Sequence, residues 1–209
     1  RNWVQTVEAI SPADVWIGFE KTGVAHFDGV SWTHYDDTDS LQINYVMDIE
    51  SDSSGDVWFA SNEGLCRYSN GQWIPFTQED NFTGGWVSQI IVGDDGTAWC
   101  LIGTNCVLYH YDGSKWGIYE TPSGSNLINT ATVAFDDDGS SWVCWAGQIL
   151  HVTDNSMDTY SIEDITGVAD ANAVYVDPAE QSFIAVKSGS VIVFRGKGVF
   201  VEENQSVPV

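Results

Sequence analysis

The chain has 209 residues, and its 30 Asp+Glu outnumber its 7 Lys+Arg, giving a formal net charge of -23 at pH 7. A hydrophobic content of 43% is typical of a globular protein, while the negative charge excludes nucleic acid as a partner because phosphate is repelled. Apolar runs are only a few residues long, so we expect no membrane insertion by this segment.

Large apolar residues recur with a period of about 42 residues. The first series, with separations of 42, 41, 43 and 41, is Trp16, Trp58, Trp99, Trp142 and Phe183. The second series is Trp32, Trp73 and Trp116. The third precedes the first by nine residues and is Val7, Ile49, Ile90, Val133 and Val174. Three series in step predict repeated structural units.

In chain order we predict five units, at approximately residues 2–36, 44–77, 85–120, 128–161 and 169–203. Each unit contains four short segments with strand-like alternation and no helical periodicity. Turn dipeptides separate the third and fourth segments, as at Asp28-Gly29, Asn70-Gly71, Asp112-Gly113 and Asp154-Asn155. Such dipeptides supply the positive φ angles of a tight hairpin.

A repeated four-stranded unit of this length predicts an all-β fold, a β-propeller of five four-stranded antiparallel blades in a single domain, 1–209. The large rings would then fill the widening gap between radiating sheets. A β-sandwich or a solenoid of repeated meanders is the alternative architecture. The sequence leaves open whether five blades form a complete ring or part of a larger propeller.

The unit resembles the two-component regulator propeller repeat, which occurs in extracytoplasmic sensor domains of bacterial histidine kinases and in related secreted proteins. Segments 14–35 (DVWIGFEKTGVAHFDGVSWTHY), 56–76 and 94–119 carry the resemblance, and 136–160 matches less closely. The resemblance implies an extracytoplasmic location (periplasmic, cell-surface or secreted) and a sensor or recognition role. It does not indicate a ligand, because the motif residues are structural.

The polar clusters do not predict a metal centre. Three histidines, His26, His110 and His151, occupy one equivalent position in different units, where Arg67 stands in the second unit. Equivalent positions on different blades lie too far apart to share one ion. Acidic clusters such as Asp94-Asp95 and Asp136-Asp137-Asp138 match Ca²⁺ chemistry, but their place in turns favours turn formation as their role.

The sequence predicts no catalytic residues and no cofactor. It contains neither a Gly-x-Ser-x-Gly elbow nor a phosphate-binding Gly-x-x-x-x-Gly-Lys loop. Glycosidase or lyase activity would require a carboxylate pair on the innermost strands, where the candidates are Glu8, Asp48 and Asp170. Cys100 and Cys106 flank a short turn, which allows a disulfide between them.

The predicted ligand site lies at the end of the blades where each innermost strand begins. The residues entering those strands are Trp3, Tyr45, Trp86, Asn129 and Asp170. The loops between second and third strands, which contain Glu20 and Asn62, should lie at the same end. Aromatic rings beside amides and carboxylates suit a glycan or a peptide, although the rings also suit simple packing between blades.

We therefore predict a non-enzymatic recognition domain that binds a glycan or peptide ligand at this end. The alternative is a protein-interaction scaffold whose acidic surface attracts a basic partner, with a glycosidase or lyase as a further alternative.

Overall fold

The computed structural model describes residues 2–36, 44–102, 107–119, 132–135, 140–145, 148–153, 156–161, 176–177, 182–187, 190–195 and 198–202. The chain divides into two compact units, Arg1–Glu120 and Thr121–Val209, each of which is described by itself. Within the described residues no helix is both long and apolar enough to cross a membrane. The prediction of one domain over the whole chain stays a prediction.

The first unit contains three antiparallel four-stranded sheets. Sheet 1 comprises β1 (Val4–Ser11), β2 (Asp14–Phe19), β3 (Val24–Phe27) and β4 (Trp32–Tyr35). Sheet 2 comprises β5 (Val46–Ser51), β6 (Val57–Ser61), β7 (Leu65–Ser69) and β8 (Gln72–Pro75). Sheet 3 comprises β9 (Val87–Val92), β10 (Ala98–Ile102), β11 (Val107–Tyr111) and β12 (Trp116–Tyr119). A 3-10 turn, Gln78–Asp80, lies between sheets 2 and 3.

The second unit continues the same pattern with two further sheets. Sheet 4 comprises β13 (Thr132–Phe135), β14 (Ser141–Trp145), β15 (Gln148–Val152) and β16 (Met157–Ser161). Sheet 5 comprises β17 (Val176–Asp177), β18 (Ser182–Lys187), β19 (Ser190–Arg195) and β20 (Gly198–Glu202). In every sheet the strands follow one another in chain order, so the predicted all-β fold built from four-stranded antiparallel units is confirmed.

The predicted pair of positive φ angles forms at Asn70-Gly71. At Asp28-Gly29 and Asp112-Gly113 only the glycine has a positive φ, and Asp154-Asn155 lies outside the described residues. Asn70 and Gly71 have φ angles of 51° and 80°, and this pair of positive angles gives a turn whose twist matches that of the strands. Asp112 instead accepts hydrogen bonds from the backbone N–H groups of Ser114 and Lys115, both at 2.9 Å. These bonds to the ionised carboxylate lower the pKa of Asp112 to about 2.

Trp16 and Trp58, the first two tryptophans of the first series, hold neighbouring sheets of the first unit together. Trp16 of sheet 1 is buried, and its ring contacts Phe59, Tyr68 and Trp73 of sheet 2 at centroid distances of 5.3, 5.0 and 6.0 Å. Trp58, one repeat later, contacts Tyr111 of sheet 3 at 5.5 Å. Each such ring removes roughly 150–250 Å² from water, which at about 25 cal/mol per Å² stabilises the pair of sheets by several kcal/mol.

The repeated histidines stack on these tryptophans. His26 lies 3.9 Å from Trp16 and His110 lies 4.2 Å from Trp99, ring centroid to ring centroid. Both pairs are direct cross-strand partners in their sheets. In sheet 2 the guanidinium of Arg67 lies 5.1 Å above the ring of Trp58. The position therefore requires a flat polar group that covers the tryptophan, which agrees with a structural role for the histidines.

Gly18 provides a test of the packing between sheets 1 and 2. A Cβ at this position would lie 2.7 Å from Cγ1 of Val46 and 2.8 Å from Cγ2 of Thr6. We expect Gly18→Val to lower the free energy of unfolding by about 2–3 kcal/mol, because overpacking forces the sheets apart. Gly117→Ala is the control, since the nearest atom to its Cβ is 3.7 Å away. Urea unfolding measures both, and equal effects would contradict this account.

Candidate ligand-binding site

Three aromatic residues mark the points where the first strands of sheets 1 to 3 begin. Tyr45 precedes β5 and is half-buried, and its ring centroid lies 5.8 Å from that of Trp86, which precedes β9. Trp86 is 47% exposed and Trp3, which precedes β1, is 61% exposed. The structure thus brings Tyr45 and Trp86 together as a pair, while Trp3 offers its ring to solvent.

Backbone hydrogen bonds bring the loops between second and third strands to the same end. The N–H of Glu20 donates to the carbonyl of Trp3 at 3.0 Å. One repeat later, the N–H of Asn62 donates to the carbonyl of Tyr45 at 3.2 Å. The predicted placement of Glu20 and Asn62 beside the strand-entry residues is therefore what the structure shows.

Three of the predicted residues, Glu20, Tyr45 and Asn62, line one cavity of about 440 Å³ between sheets 1 and 2. The other lining residues are Lys21, Thr22, His34, Asp36 and Asn44. Carboxylates, amides, a lysine, an imidazole and a phenol thus surround one space. Such a lining suits a ligand with many hydroxyl or amide groups, because each polar group can accept or donate a hydrogen bond.

Asn62 also shapes this cavity. Its side-chain oxygen accepts a hydrogen bond from the backbone N–H of Tyr45 at 3.3 Å. Together with the bond from its own N–H to the Tyr45 carbonyl, this fixes the start of β5 and so the place of the Tyr45 ring. Asn62 is a positioning residue as well as a cavity residue.

The sequence did not predict His34, Asp36 and Asn44 as site residues. His34 lies on β4, the outer strand of sheet 1, and Asp36 follows that strand. Only the packing of sheet 1 against sheet 2 brings the outer strand of one sheet to the entry residues of the next. Asn44 was detectable, since it occupies the same place before Tyr45 that Asn2 occupies before Trp3.

Two other predicted site residues, Asn129 and Asp170, lie outside the described residues. Cys106 does as well. The thiol of Cys100 is free and buried, so the predicted Cys100–Cys106 disulfide is wrong for this structure. The register of the hairpin places Tyr109 opposite Cys100. Burial raises the pKa of the Cys100 and Cys66 thiols, which keeps both groups in the unreactive thiol form.

The acidic turns are occupied by hydrogen bonds within the protein. Asp95 accepts from the N–H and the hydroxyl of Thr97 at 3.0 and 2.7 Å, while the Asp94 carbonyl accepts from the Ser53 hydroxyl. Among the residues described, no group of three or more His, Cys, Asp and Glu side chains is arranged to hold a metal ion. Asp136-Asp137-Asp138 lie outside the described residues.

Carboxylates also line the first strands of sheets 1 and 2, below the entry residues. Asp48 on β5 accepts a hydrogen bond from the N–H of Ile90 on β9 at 3.1 Å, which joins sheet 2 to sheet 3. Burial nevertheless raises the pKa of Asp48 to about 6, with a smaller contribution from the charge of Glu8. Glu8 on β1 accepts from the hydroxyl of Ser51 on β5 at 2.5 Å.

Glu50 repeats the position of Glu8 without its hydrogen bond. Glu8 pairs with Trp16 in register, and Glu50 pairs with Trp58. The place of Ser51 is taken in sheet 3 by Val92, which has no hydroxyl. No hydrogen bond to Glu50 is found among the described residues, and burial, together with the charges of Asp48 and Glu8, raises its pKa to about 7.

Glu50 makes stability depend on pH. Because the pKa of Glu50 is higher in the folded protein than its ordinary value of 4.5, the folded state holds a proton that the unfolded state loses, and stability falls as pH rises from about 5 to about 8. We expect Glu50→Gln to raise the free energy of unfolding at pH 8 by about 1 kcal/mol, after allowance for solvent screening, and to leave it unchanged at pH 4.

Three further variants test whether the ionised Glu50 carboxylate causes this pH dependence. Glu8→Gln, at the equivalent position, removes a carboxylate that already has a hydrogen-bond donor. Because the charge of Glu8 also raises the pKa of Glu50, we expect a gain at pH 8 that is smaller than the gain from Glu50→Gln. Val92→Ser should supply Glu50 with the hydroxyl that Ser51 supplies to Glu8, and so flatten the pH dependence relative to Val92→Ala. Urea titrations from pH 4 to pH 8 measure all four. A gain from Glu50→Gln that is the same at every pH would exclude the ionised carboxylate as its cause.

The chain matches no protein-family model and no curated protein, but it is similar to several solved structures. One is the extracellular domain of BT3049 from B. thetaiotaomicron, described as a hybrid two component system, with a TM-score of 0.59 and 19% identity over 97% of this chain and 28% of that one. Another is virginiamycin B lyase from Staphylococcus aureus with quinupristin, with a TM-score of 0.62 and 16% identity over 99% and 74%. A third is YCF48 bound to D1 peptide, with a TM-score of 0.61 and 16% identity over 94% and 65%.

These likenesses show a β-propeller fold, and the likeness to BT3049 agrees with the resemblance of the repeats to the two-component regulator propeller family. The chain spans about three tenths of the length of the B. thetaiotaomicron extracellular domains that it matches.

Proposed function

We propose that the chain is an extracytoplasmic β-propeller domain that binds a glycan without catalysis, as part of a sensor or surface recognition protein. Its five four-stranded sheets serve as five blades. One observation carries the proposal: a polar cavity lined by Glu20, Asn44 and Asn62 lies beside the aromatic pair of Tyr45 and Trp86.

A sugar matches both parts of this arrangement. One face of a pyranose ring is apolar because its C–H groups point the same way, and it packs on an exposed aromatic ring such as that of Trp86. The hydroxyl groups at the edge of the sugar then meet amides and carboxylates at distances set by the rigid strands. The lining residues come from strand ends and from the loops beside them.

The comparisons support a recognition role and an extracytoplasmic location. The B. thetaiotaomicron structures are extracellular domains of signalling systems, and a binding domain in such a protein receives the signal. This chain spans about three tenths of the length of those domains. We therefore propose, from the shared fold, that it is one part of a larger sensor protein.

A non-enzymatic function also agrees with the inner carboxylates. Glu8 and Asp48, two candidates for a catalytic pair, each accept a hydrogen bond that joins one sheet to the next. Asp48 accepts a second one from the N–H of Ile49 at 3.1 Å. Carboxylates used in this way stabilise the packing of the sheets. The lyase among the similar structures shares the fold and lends no activity to this chain.

A glycan array followed by calorimetry tests the proposal. Trp86→Ala should weaken binding of the best glycan about tenfold, because loss of one stacking contact costs about 1–1.5 kcal/mol. Trp32→Ala is the matched control: Trp32 is 54% exposed and is not among the residues that line the cavity. Binding that Trp86→Ala leaves unchanged and Trp32→Ala abolishes would place the site elsewhere. The absence of any glycan ligand would refute glycan recognition.

A peptide or protein partner is the second candidate, favoured by the net charge of -23 and by the peptide-bound YCF48 structure. An acidic surface attracts basic peptides at long range, and salt screens that attraction. We expect association with a Lys/Arg-rich peptide to weaken at least tenfold between about 0.05 and 0.5 M salt, with an acidic peptide of equal length as the control. Glycan binding should be nearly insensitive to salt, so the two candidates are distinguishable.

A further inference from the structure

A second cavity, of about 580 Å³, lies within the first unit and shares no lining residue with the cavity beside Tyr45. We call it the linker cavity, because one wall belongs to the segment 76–86 that connects β8 to β9. The opposite wall belongs to β12 and the residue before it. The connecting segment contributes Gln78, Asn81 and Thr83, and the β12 side contributes Lys115, Trp116, Gly117 and Ile118.

Hydrogen bonds hold the connecting segment in a defined path. The N–H of Thr77 donates to the carboxylate of Asp80 at 2.9 Å, and the N–H of Phe82 donates to the carbonyl of Thr77 at 2.9 Å. Asn81 has a φ of 62°, so its backbone turns through the left-handed region and redirects the chain. The amides of Gln78 and Asn81 are thereby carried on one compact turn at the cavity.

Phe82 fixes this turn to sheet 3. Its side chain is fully buried, and its ring centroid lies 5.3 Å from that of Trp116 and 5.5 Å from that of Tyr109. The hydroxyl groups of Thr83 and Tyr109 lie 2.8 Å apart and share a hydrogen bond. The linker cavity is therefore built from contacts between residues 77–118, all within the first unit.

One side of the linker cavity is apolar. Trp116 and Ile118 alternate along β12, so both side chains belong to the same face of the sheet. Trp116 is covered by Phe76 and Phe82, whose ring centroids lie 5.5 and 5.3 Å from its own. Ile118 is 50% exposed, so it offers apolar surface that a ligand would remove from water.

The charge of the linker cavity is opposite to that of the chain. Lys115 is its one charged lining residue, whereas the chain has a net charge of -23. In the described part of residues 2–119 the basic residues are Lys21, Arg67 and Lys115. Arg67 lies 3.5 Å from the carboxylate of Asp56, but Lys115 forms no ion pair with any described residue. An ammonium group is thus available at the cavity to an anionic ligand.

We propose that the linker cavity is a second binding site, which takes a sugar acid, meaning a sugar with one carboxylate, such as a uronic acid. The carboxylate pairs with the ammonium of Lys115. The sugar hydroxyl groups exchange hydrogen bonds with the amides of Gln78 and Asn81, since an amide both donates and accepts. The C–H groups of the sugar pack on Ile118. Polyanions are disfavoured, because the negative chain repels the charges that remain outside the cavity. This inference does not depend on the ligand of the cavity beside Tyr45.

An NMR titration of the ¹⁵N-labelled 209-residue chain with two matched ligands tests the proposal. Methyl glucuronoside and methyl glucoside differ only in the carboxylate that replaces one hydroxymethyl group. We expect the glucuronoside to shift the backbone N–H signals of Gly117 and Ile118. It should bind about tenfold more tightly than the glucoside, because a hydrogen bond to a charged group contributes more than a neutral one.

Four variants connect this preference to the lining residues. Lys115→Gln should bring the two affinities within about twofold of each other, whereas Lys115→Arg should keep most of the preference. Lys21→Gln is the matched control, since Lys21 lines the cavity beside Tyr45, and it should change nothing. Asn81→Gly removes an amide but keeps the turn, because glycine adopts a positive φ freely. It should weaken both ligands equally, since both carry the hydroxyl groups that the amide meets.

Four results would overturn the proposal. Equal affinity of the parent chain for the two ligands would exclude recognition of the carboxylate. Signals of Gly117 and Ile118 that do not move would exclude the linker cavity. A preference that Lys21→Gln removes and Lys115→Gln keeps would place the charge contact beside Tyr45. Tighter binding of an acetylated dipeptide with a free carboxylate, at the same signals, would assign the linker cavity to a peptide.

Discussion

The first unit depends on one contact, in which a tryptophan on the second strand of a sheet enters an aromatic face of the next sheet. Trp16 meets Phe59, Tyr68 and Trp73 in this way, and Trp58 meets Tyr111. A large ring is needed because sheets that pack side by side with a twist diverge away from their first strands, and small side chains would leave the gap unfilled. The cross-strand histidine or arginine that covers the ring completes the layer, so one contact accounts for both the period of the tryptophans and that of the histidines.

Equivalent residues of the repeat differ in chemistry where the residues around them differ. Glu8 and Glu50 occupy the same position, yet the next sheet offers a hydroxyl from Ser51 to one and a methyl group from Val92 to the other. A buried carboxylate without a donor retains its proton more strongly, and the pKa of Glu50 rises to about 7. The entry residues vary in the same manner, since Trp3, Tyr45 and Trp86 differ in exposure although their strands begin alike. The scaffold stays constant while the side chains at its ends and inner strands set function.

The candidate site was predictable where it follows the repeat. Tyr45, Glu20 and Asn62 could be found by aligning the units, because an equivalent position in each unit lies at an equivalent place in each sheet. His34 and Asp36 could not be found in this way. They come from the outer strand of sheet 1 and the residue after it, and their proximity to Tyr45 depends on the angle between two sheets, which no local pattern encodes.

The strands, their order and the positions of the turns follow from the amino-acid pattern alone, since alternation, period and Asn-Gly or Asp-Gly dipeptides act over a few residues. The same pattern specifies which face of each sheet holds the tryptophan. The exposure of each equivalent side chain is decided only when the sheets pack. Trp32 and Trp116 occupy the same position in the repeat, but Trp32 is 54% exposed and Trp116 is 1% exposed. Burial and desolvation differ because they depend on the neighbouring sheet, and the sequence of one repeat specifies its own hydrogen-bonded strands but not what packs against them.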